Sequence, residues 1–369
     1  MSISTASPPR EAVDRRARAP GHSALGVELG DSRIRLARYR RQGSGDHWIC
    51  RTLELAAVEG RSSRQASRAL RRSLRSAGLT GGPVVAALAS PAVDVFPVTI
   101  DPQASAPRDL QVVRRAEEHL NYPLTEAVLD YAVLPEEIRR PGKENAAVLV
   151  FAAPRSLIDE WLGRLSAAGL QLDRLLTPAC AMASYVGDQT PGQRFLLIAV
   201  AEQATSVAVL QSQHVLLERI LPWGLGRLEQ RLAEELELPV DQCRTLLTGA
   251  MPSDEEAGDA DEEIDATRPP VEGAVQEILG PALHELVQEA GSCLGYCDAF
   301  LQSVPAAGLI VTGSIATLPP LQRILEEGLG LDVQCGLAGG NLPPFSGKLD
   351  AATYATAAGC AFWPKEHRQ

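Results

Sequence analysis

From residue 24 onward, the apolar positions fall into short runs with either the strand period of two or the helix period of about 3.6. Ala24–Leu29 is an apolar strand. Arg33–Tyr39 alternates Ile34 and Leu36 against Arg35 as a second strand, and Trp48–Leu55 fits a third. Arg64–Ala77 puts Ala66, Ala69, Leu70, Leu74 and Ala77 on one helical stripe closed by Gly78, and Pro83–Ala89 is a buried strand. The pattern then changes. Val93–Ile100 is a strand, Asp109–Leu120 a charged amphipathic helix ending in the Asn121-Tyr122-Pro123 turn, and Val128–Leu134 an alternating strand. A polar loop over Glu136–Glu144 leads to a strand at Ala147–Ala153. A helix over Arg155–Ala168 stops at Gly169, and a short strand at Leu172–Thr177 precedes a helix opened by Pro178.

The segment 187–192, rich in Gly and polar residues, is the best internal boundary, because the opening pattern returns beyond it. Phe195–Ala201, Thr205–Leu210 and Val215–Leu221 read as three strands, followed by helices at Leu225–Leu236 and Val240–Leu247. After a polar acidic loop over 251–270, Pro281–Val304 reads as a long helix. Leu309–Thr312 is a strand entering Gly313, with a helix at Leu318–Glu327 and a strand at Leu331–Gln334. Each half therefore opens with three strands and a helix. This is a duplication of order rather than of residue identity. Two unrelated doubly wound domains would instead alternate strand and helix from the start and carry a Gly-rich first turn.

Composition narrows the class. The chain has 369 residues, 45% hydrophobic and 22% charged, with aromatics at only 4%, so its core is built from Leu, Val, Ile and Ala. The formal charge of −11 argues against general nucleic-acid binding, which needs positive surface. Charge is nevertheless uneven. Residues 61–75 carry Arg61, Arg64, Arg68, Arg71, Arg72 and Arg75 without an acid, and 254–265 carry eight acids without a base. These read as a solvated helix face and a solvated loop, or as a contact surface for a partner or anionic headgroups. Seven scattered cysteines without a CxxC pair suit a reducing compartment, with Cys293 and Cys297 as core filling. No apolar run approaches the roughly 20 residues of a membrane span, and residues 1–23 read as a disordered polar tail rather than a secretory signal.

Three segments carry a resemblance. Leu25-Gly-Val-Glu-Leu-Gly-Asp-Ser-Arg-Ile-Arg-Leu36 resembles the phosphate-1 hairpin of actin-like ATPases. Residues 116–134, with a helix, the Tyr122-Pro123 turn and Leu129-Asp-Tyr131, resemble the insert of the type IV pilus assembly protein PilM family. Residues 217–224, ending in Pro222-Trp-Gly224, are similar to that family's strand end. Val311–Leu321 resembles the adenosine loop and Tyr354–Ala361 the closing helix, so the resemblance spans about 24–362.

It implies an α/β actin/Hsp70-like duplicated fold with two lobes around a cleft. The first lobe would occupy 24–187 with a small inserted subdomain at about 91–180, and the second 188–363. Possible cofactors are ATP and Mg²⁺. For their site the resemblance nominates Gly30, Asp31, Ser32 and Arg35 on the first hairpin, Gly313 and Ser314 in the adenosine loop, Glu289 and Ser292 on the long helix, and Glu28 at the metal position. Gly30 and Gly313 can equally be plain turn glycines. Two departures matter. The usual phosphate-1 Asp is Glu28, and the phosphate-2 Asp-x-Gly corresponds to Ala199-Val200-Ala201. An apolar strand there removes the group that positions water or metal, so fast phosphoryl transfer is not expected. The resemblance implies a cytoplasmic scaffold, peripheral at the inner face of the inner membrane, that binds the N-terminal tail of a PilN-like protein at the insert. In that reading Tyr122 either lines the docking groove or closes the insert's own core. The alternatives are an active ATPase driven by cleft closure, or a relative serving type II secretion.

Overall fold

The computed structural model describes residues 23–30, 33–42, 45–54, 71–139, 145–189, 192–248, 271–301, 304–336 and 348–363. The tail at 1–22, Asp31, Ser32, most of the first arginine-rich helix and the acidic loop lie outside these residues.

Two five-stranded sheets share one plan. In the first, β1 (Leu25–Leu29), β2 (Arg33–Gln42) and β3 (Gly45–Glu54) form an antiparallel meander, β4 (Val84–Leu88) lies parallel to β1 and β8 (Leu172–Leu176) parallel to β4, giving the order β3-β2-β1-β4-β8. The second sheet repeats it as β11-β10-β9-β12-β13, with β9 (Arg194–Val200), β10 (Thr205–Gln211), β11 (His214–Leu221), β12 (Ala306–Thr312) and β13 (Val333–Cys335). β1, β4 and β10 are buried at every position, so they read as mainly apolar runs rather than as alternation, and the Glu28 carboxyl of β1 and the Ser206 hydroxyl of β10 are buried with them.

Between β4 and β8 (Leu172–Leu176) the chain builds a third sheet, ordered β5-β7-β6, from β5 (Asp94–Ile100), β6 (Ala127–Val133) and β7 (Ala146–Pro154). Helix α1 (Arg108–Glu117) covers it through Val112 and Ala116, which join Val98, Ile100, Tyr131 and Val148 in a small core of their own. The inserted sheet is thus narrower than the sequence suggests, because it ends at Pro154. Helix α2 (Arg155–Ala168) buries Trp161 and Leu165 against Leu25, Val27 and Leu88 of the first lobe, and β8 pairs with β4.

Helix α3 (Pro178–Gln189) and the last helix α9 (Ala355–Ala361) lie between the two large sheets. Ala179, Met182, Ala183, Ala355, Ala357 and Ala358 pack there against Ala37 of the first sheet and Leu197, Ala208 and Ile310 of the second. Small residues allow this close approach. A Cβ on Gly26 would lie 1.7 Å from the Ala357 carbonyl oxygen, and one on Gly359 would lie 2.5 Å from that of Ala181.

The second lobe is covered by α4 (Leu225–Leu236), α5 (Val240–Thr248), α6 (Val271–Phe300) and α7 (Pro319–Leu329); the short α8 (Lys348–Thr353) precedes α9. Helix α6 starts ten residues before the expected Pro281, which lies inside it. Leu279 continues the buried stripe of Leu283, Leu286, Ala290, Cys293 and Cys297, so core burial holds the turns ahead of the proline in helix. Both cysteines are core residues, their thiols pushed up to about 12 by burial.

Candidate functional site

The cleft between the lobes is set by two hairpins, β1–β2 in the first sheet and β9–β10 in the second. The antiparallel register of β1 and β2 puts Glu28 directly opposite Arg35. One Arg35 nitrogen donates to Glu28 Oε1 at 2.6 Å, and the other donates to the Ser314 hydroxyl at 2.8 Å. Arg35 therefore ties the first hairpin to the turn after β12 in the second lobe. Burial holds the Glu28 carboxyl above its ordinary range in spite of Arg35.

Arg33 stands two residues from Arg35, on the same face of β2. Its Nε lies 3.5 Å from Glu202 Oε1, and its backbone N–H donates to Glu202 Oε2 at 3.3 Å. Its guanidinium also reaches Glu229 of α4 at 3.5 Å. Arg244 of α5 donates to both oxygens of Glu229, at 2.9 and 3.1 Å.

Glu202 is in the β9–β10 turn, and the start of α4 holds that turn in place. The amides of Leu225 and Gly226 donate at 2.9 Å to the carbonyls of Ala201 and Glu202. Gly224 is required there, since a Cβ would come within 2.5 Å of the Ala201 carbonyl oxygen and 2.7 Å of that of Glu202. The carboxylate so placed lies over Gly30, where an added Cβ would be 2.6 Å from Glu202 Oε2. Gly313 is more than a plain turn glycine, with φ +105° and a Cβ position 2.1 Å from the Val200 carbonyl oxygen.

Of the residues nominated from sequence, the structure gathers Glu28, Gly30, Arg35, Gly313 and Ser314 around the cleft. Asp31 and Ser32 fall outside the described residues. Glu289 and Ser292 are used elsewhere. Glu289 pairs with Arg219 of β11 at 3.0 Å, and the Ser292 hydroxyl donates to the Gln288 carbonyl of its own helix. An amphipathic stripe tells which side of a helix is apolar, but not which strand its polar flank meets. The sequence nominates neither Arg33, Glu229 nor Arg244, and Glu202 stands near the phosphate-2 position but three residues out of register with it. The one visible signal was the Arg33/Arg35 alternation opposite Glu28.

Among the described residues this arrangement does not fit a nucleotide with its metal. Arg35 is held by Glu28 and Ser314, and the Gly30 turn faces a carboxylate of the chain itself. Strand β9 ends in Ala199 and Val200, with no carboxylate at either position. A cavity of about 110 Å³ lies beside Gly30, lined by Leu29, Leu88, Ser90, Trp161 and Gln203. Ligand pockets usually enclose about 300–1,000 Å³. Among the described residues no three His, Cys, Asp or Glu side chains are gathered to hold a metal ion, and no helix is long and apolar enough to cross a membrane.

No curated protein matches the chain. Among solved structures it is similar to the PilM–PilN type IV pilus biogenesis complex, at 20% identity and a TM-score of 0.69 over 92% of this chain and 97% of that one. It also resembles the ethanolamine utilization protein EutJ from Carboxydothermus hydrogenoformans, at 15% identity and a TM-score of 0.48 over 94% and 91%. A third is the activator of the 2-hydroxyisocaproyl-CoA dehydratase from Clostridium difficile with bound ADPNP, at 13% identity and a TM-score of 0.40 over 91% and 95%. The paired sheets have the actin-like ATPase fold. Residues 26–338 match the model of the type IV pilus assembly protein PilM, and the chain belongs to that family.

Proposed function

We propose that this chain is a non-spanning scaffold of a type IV pilus or related secretion platform, at the inner face of the inner membrane. It docks the N-terminal tail of a PilN-like membrane protein on the inserted subdomain, and its nucleotide binding is weak or lost. The observation that carries this reading is the family match, which runs through the whole insert. PilN is the protein named with PilM in the similar solved complex.

The docking surface we assign is the outer face of α1. Phe96 of β5 stacks on His119 with ring centroids 4.6 Å apart, and Tyr122 faces Asp94. Leu124 packs on the insert's core. Tyr122, half-buried beside Asp94 at the end of α1, stands at the edge of this surface. On α1 itself, Leu110 is 42% exposed and Arg114 stands one turn further along. An apolar anchor beside a cation suits a short tail of mixed apolar and acidic residues.

Synthetic N-terminal tails of inner-membrane proteins encoded beside this gene are the test. One tail should bind saturably by calorimetry, with binding lost in Leu110→Glu and in Arg114→Glu at unchanged melting temperature. Failure of every such tail to bind would remove the scaffold reading.

A further inference from the structure

We propose that Glu202 is a built-in anion that latches the cleft. Its carboxylate takes the seat that Gly30 and Arg33 offer to a phosphoryl oxyanion, and it keeps phosphate-bearing ligands out while it is there. Three observations converge on this residue. Gly30 has no side chain where Glu202 Oε2 stands, 2.6 Å from the Cβ position, with the Arg33 carbonyl oxygen 2.7 Å from the same point. The Arg33 backbone N–H and guanidinium both turn to the same carboxylate. The turn bearing Glu202 is fixed by two amides from the start of α4, so the carboxylate is delivered to this place rather than left to wander.

Charge supports the same conclusion. Among the described residues the guanidiniums of Arg33, Arg35 and Arg244 meet the carboxylates of Glu28, Glu202, Glu229 and Asp241, three cations against four anions, and Glu28, Arg33 and Glu229 are each 9% exposed or less. An incoming di- or triphosphate would bring more negative charge to a site with no surplus cation, and Glu28 and Glu202 would repel it. Neutralising Glu202 reverses this balance. Arg33 then keeps Glu229 but loses its second carboxylate, and a buried cation left short of an anion attracts one from solution. The ligand class is a phosphoryl oxyanion on a nucleotide or as free pyrophosphate. The latch also spans the lobes, from the β1–β2 hairpin of one to the β9–β10 turn of the other, so its release loosens the cleft.

This inference rests on the reading that nucleotide binding is weak or lost. The experiment compares the wild-type chain with Glu202→Gln and Glu202→Asp by calorimetry against ADP, ATP and pyrophosphate, with and without Mg²⁺. Hydrogen exchange of segments 25–30, 33–42 and 201–210 is followed in parallel. Glu202→Gln should bind ADP or pyrophosphate at least tenfold more tightly than the wild type, and adding Arg33→Gln should abolish the gain. Exchange in the three segments should rise in Glu202→Gln and fall again when pyrophosphate is added. Glu202→Asp keeps the charge and should stay like the wild type in binding. Equal affinity in the wild type and Glu202→Gln, or no binding and no change of exchange in Glu202→Gln, overturns the latch. Tight ATP binding by the wild type would overturn the weak-nucleotide reading as well, whereas the tail-docking experiment is untouched by either result.

Discussion

Glu218, buried on β11 of the second sheet, accepts the hydroxyl hydrogen of Thr177 at 2.5 Å, from the residue just ahead of α3. The Ser206 hydroxyl donates to the same carboxylate at 2.5 Å and the Ala179 amide at 3.3 Å. One carboxylate thus caps the helix lying between the lobes and anchors it to the second sheet. Glu218→Ala leaves two buried hydroxyls and an amide without their acceptor. It should cost about 2–4 kcal/mol in urea unfolding, and a loss below about 1 kcal/mol would show that the cap is dispensable.

Asp130 supplies a pH dependence of known sign. Burial pushes its carboxyl from 3.8 up to about 6, against the pull of the Tyr131 amide and Arg174. The folded state therefore holds the proton more tightly than the unfolded chain does. The group's contribution to stability is complete below about pH 4 and is lost as pH rises through about 6. Asp130→Asn, which can still accept from the Tyr131 amide, should gain on the wild type between pH 4 and pH 7 by on the order of 2 kcal/mol. Denaturant titrations at the two pH values measure the gap, and a gap independent of pH rejects the assignment.

Three glycines make opposite predictions. Gly26→Ala and Gly359→Ala drive a methyl group into the carbonyls of Ala357 and Ala181 at the crossing between the lobes, and the backbone on both sides must move. Each should lose at least about 2–3 kcal/mol. Gly291, exposed on α6 with nothing within 4 Å of its Cβ position, should gain about 0.5–1 kcal/mol as Ala. Thermal melts of the three variants settle the order, and a Gly26→Ala protein as stable as the wild type would contradict the close crossing.

Trp161 is 2% exposed on α2 and joins the first lobe's core beside the cavity at Gly30. Trp161→Ala should lose about 3–5 kcal/mol. If α2 instead belonged to the insert, the loss would be confined to the insert, and exchange protection in β1 and β4 would be unchanged.

Most of the elements were legible because their periods are clean. Arg155–Ala168 closed by Gly169 is observed as read, the glycine taking φ +80° and its amide donating to Leu165 and Ser166. The order of three strands at the start of each half likewise becomes two sheets of one plan. What sequence could not yield is pairing over distance. A helix and a short strand after the insert look alike whether they finish the insert or return to the first sheet, and only the β8–β4 ladder decides. Pro281 carried the signal of a helix start, yet Leu279 in the core extended the helix past it. The cleft was half legible. Glu28 and Arg35 are neighbours across one hairpin, but Glu202 is 169 residues from Arg33 and follows an apolar strand, so nothing local marks it as their partner.

Each lobe lends a piece to the other. Leu134 and Ile138, from the connection between β6 and β7 of the insert, are buried in the second lobe's core, and Arg139 bridges to Leu301 beyond α6. In return α9, at Ala355–Ala361, fills the space between β1 and α3. During synthesis the first sheet is complete once β8 ends at Leu176 and α3 once Gln189 is added, yet the helix that packs on both, α9, begins only at Ala355. At 5–20 residues per second the nascent chain waits on the order of 10–30 s with the apolar faces of Gly26, Ala37 and Met182 uncovered. For that interval those faces stay without their cover, and a chain cut short of Ala355 lacks the residues that supply it.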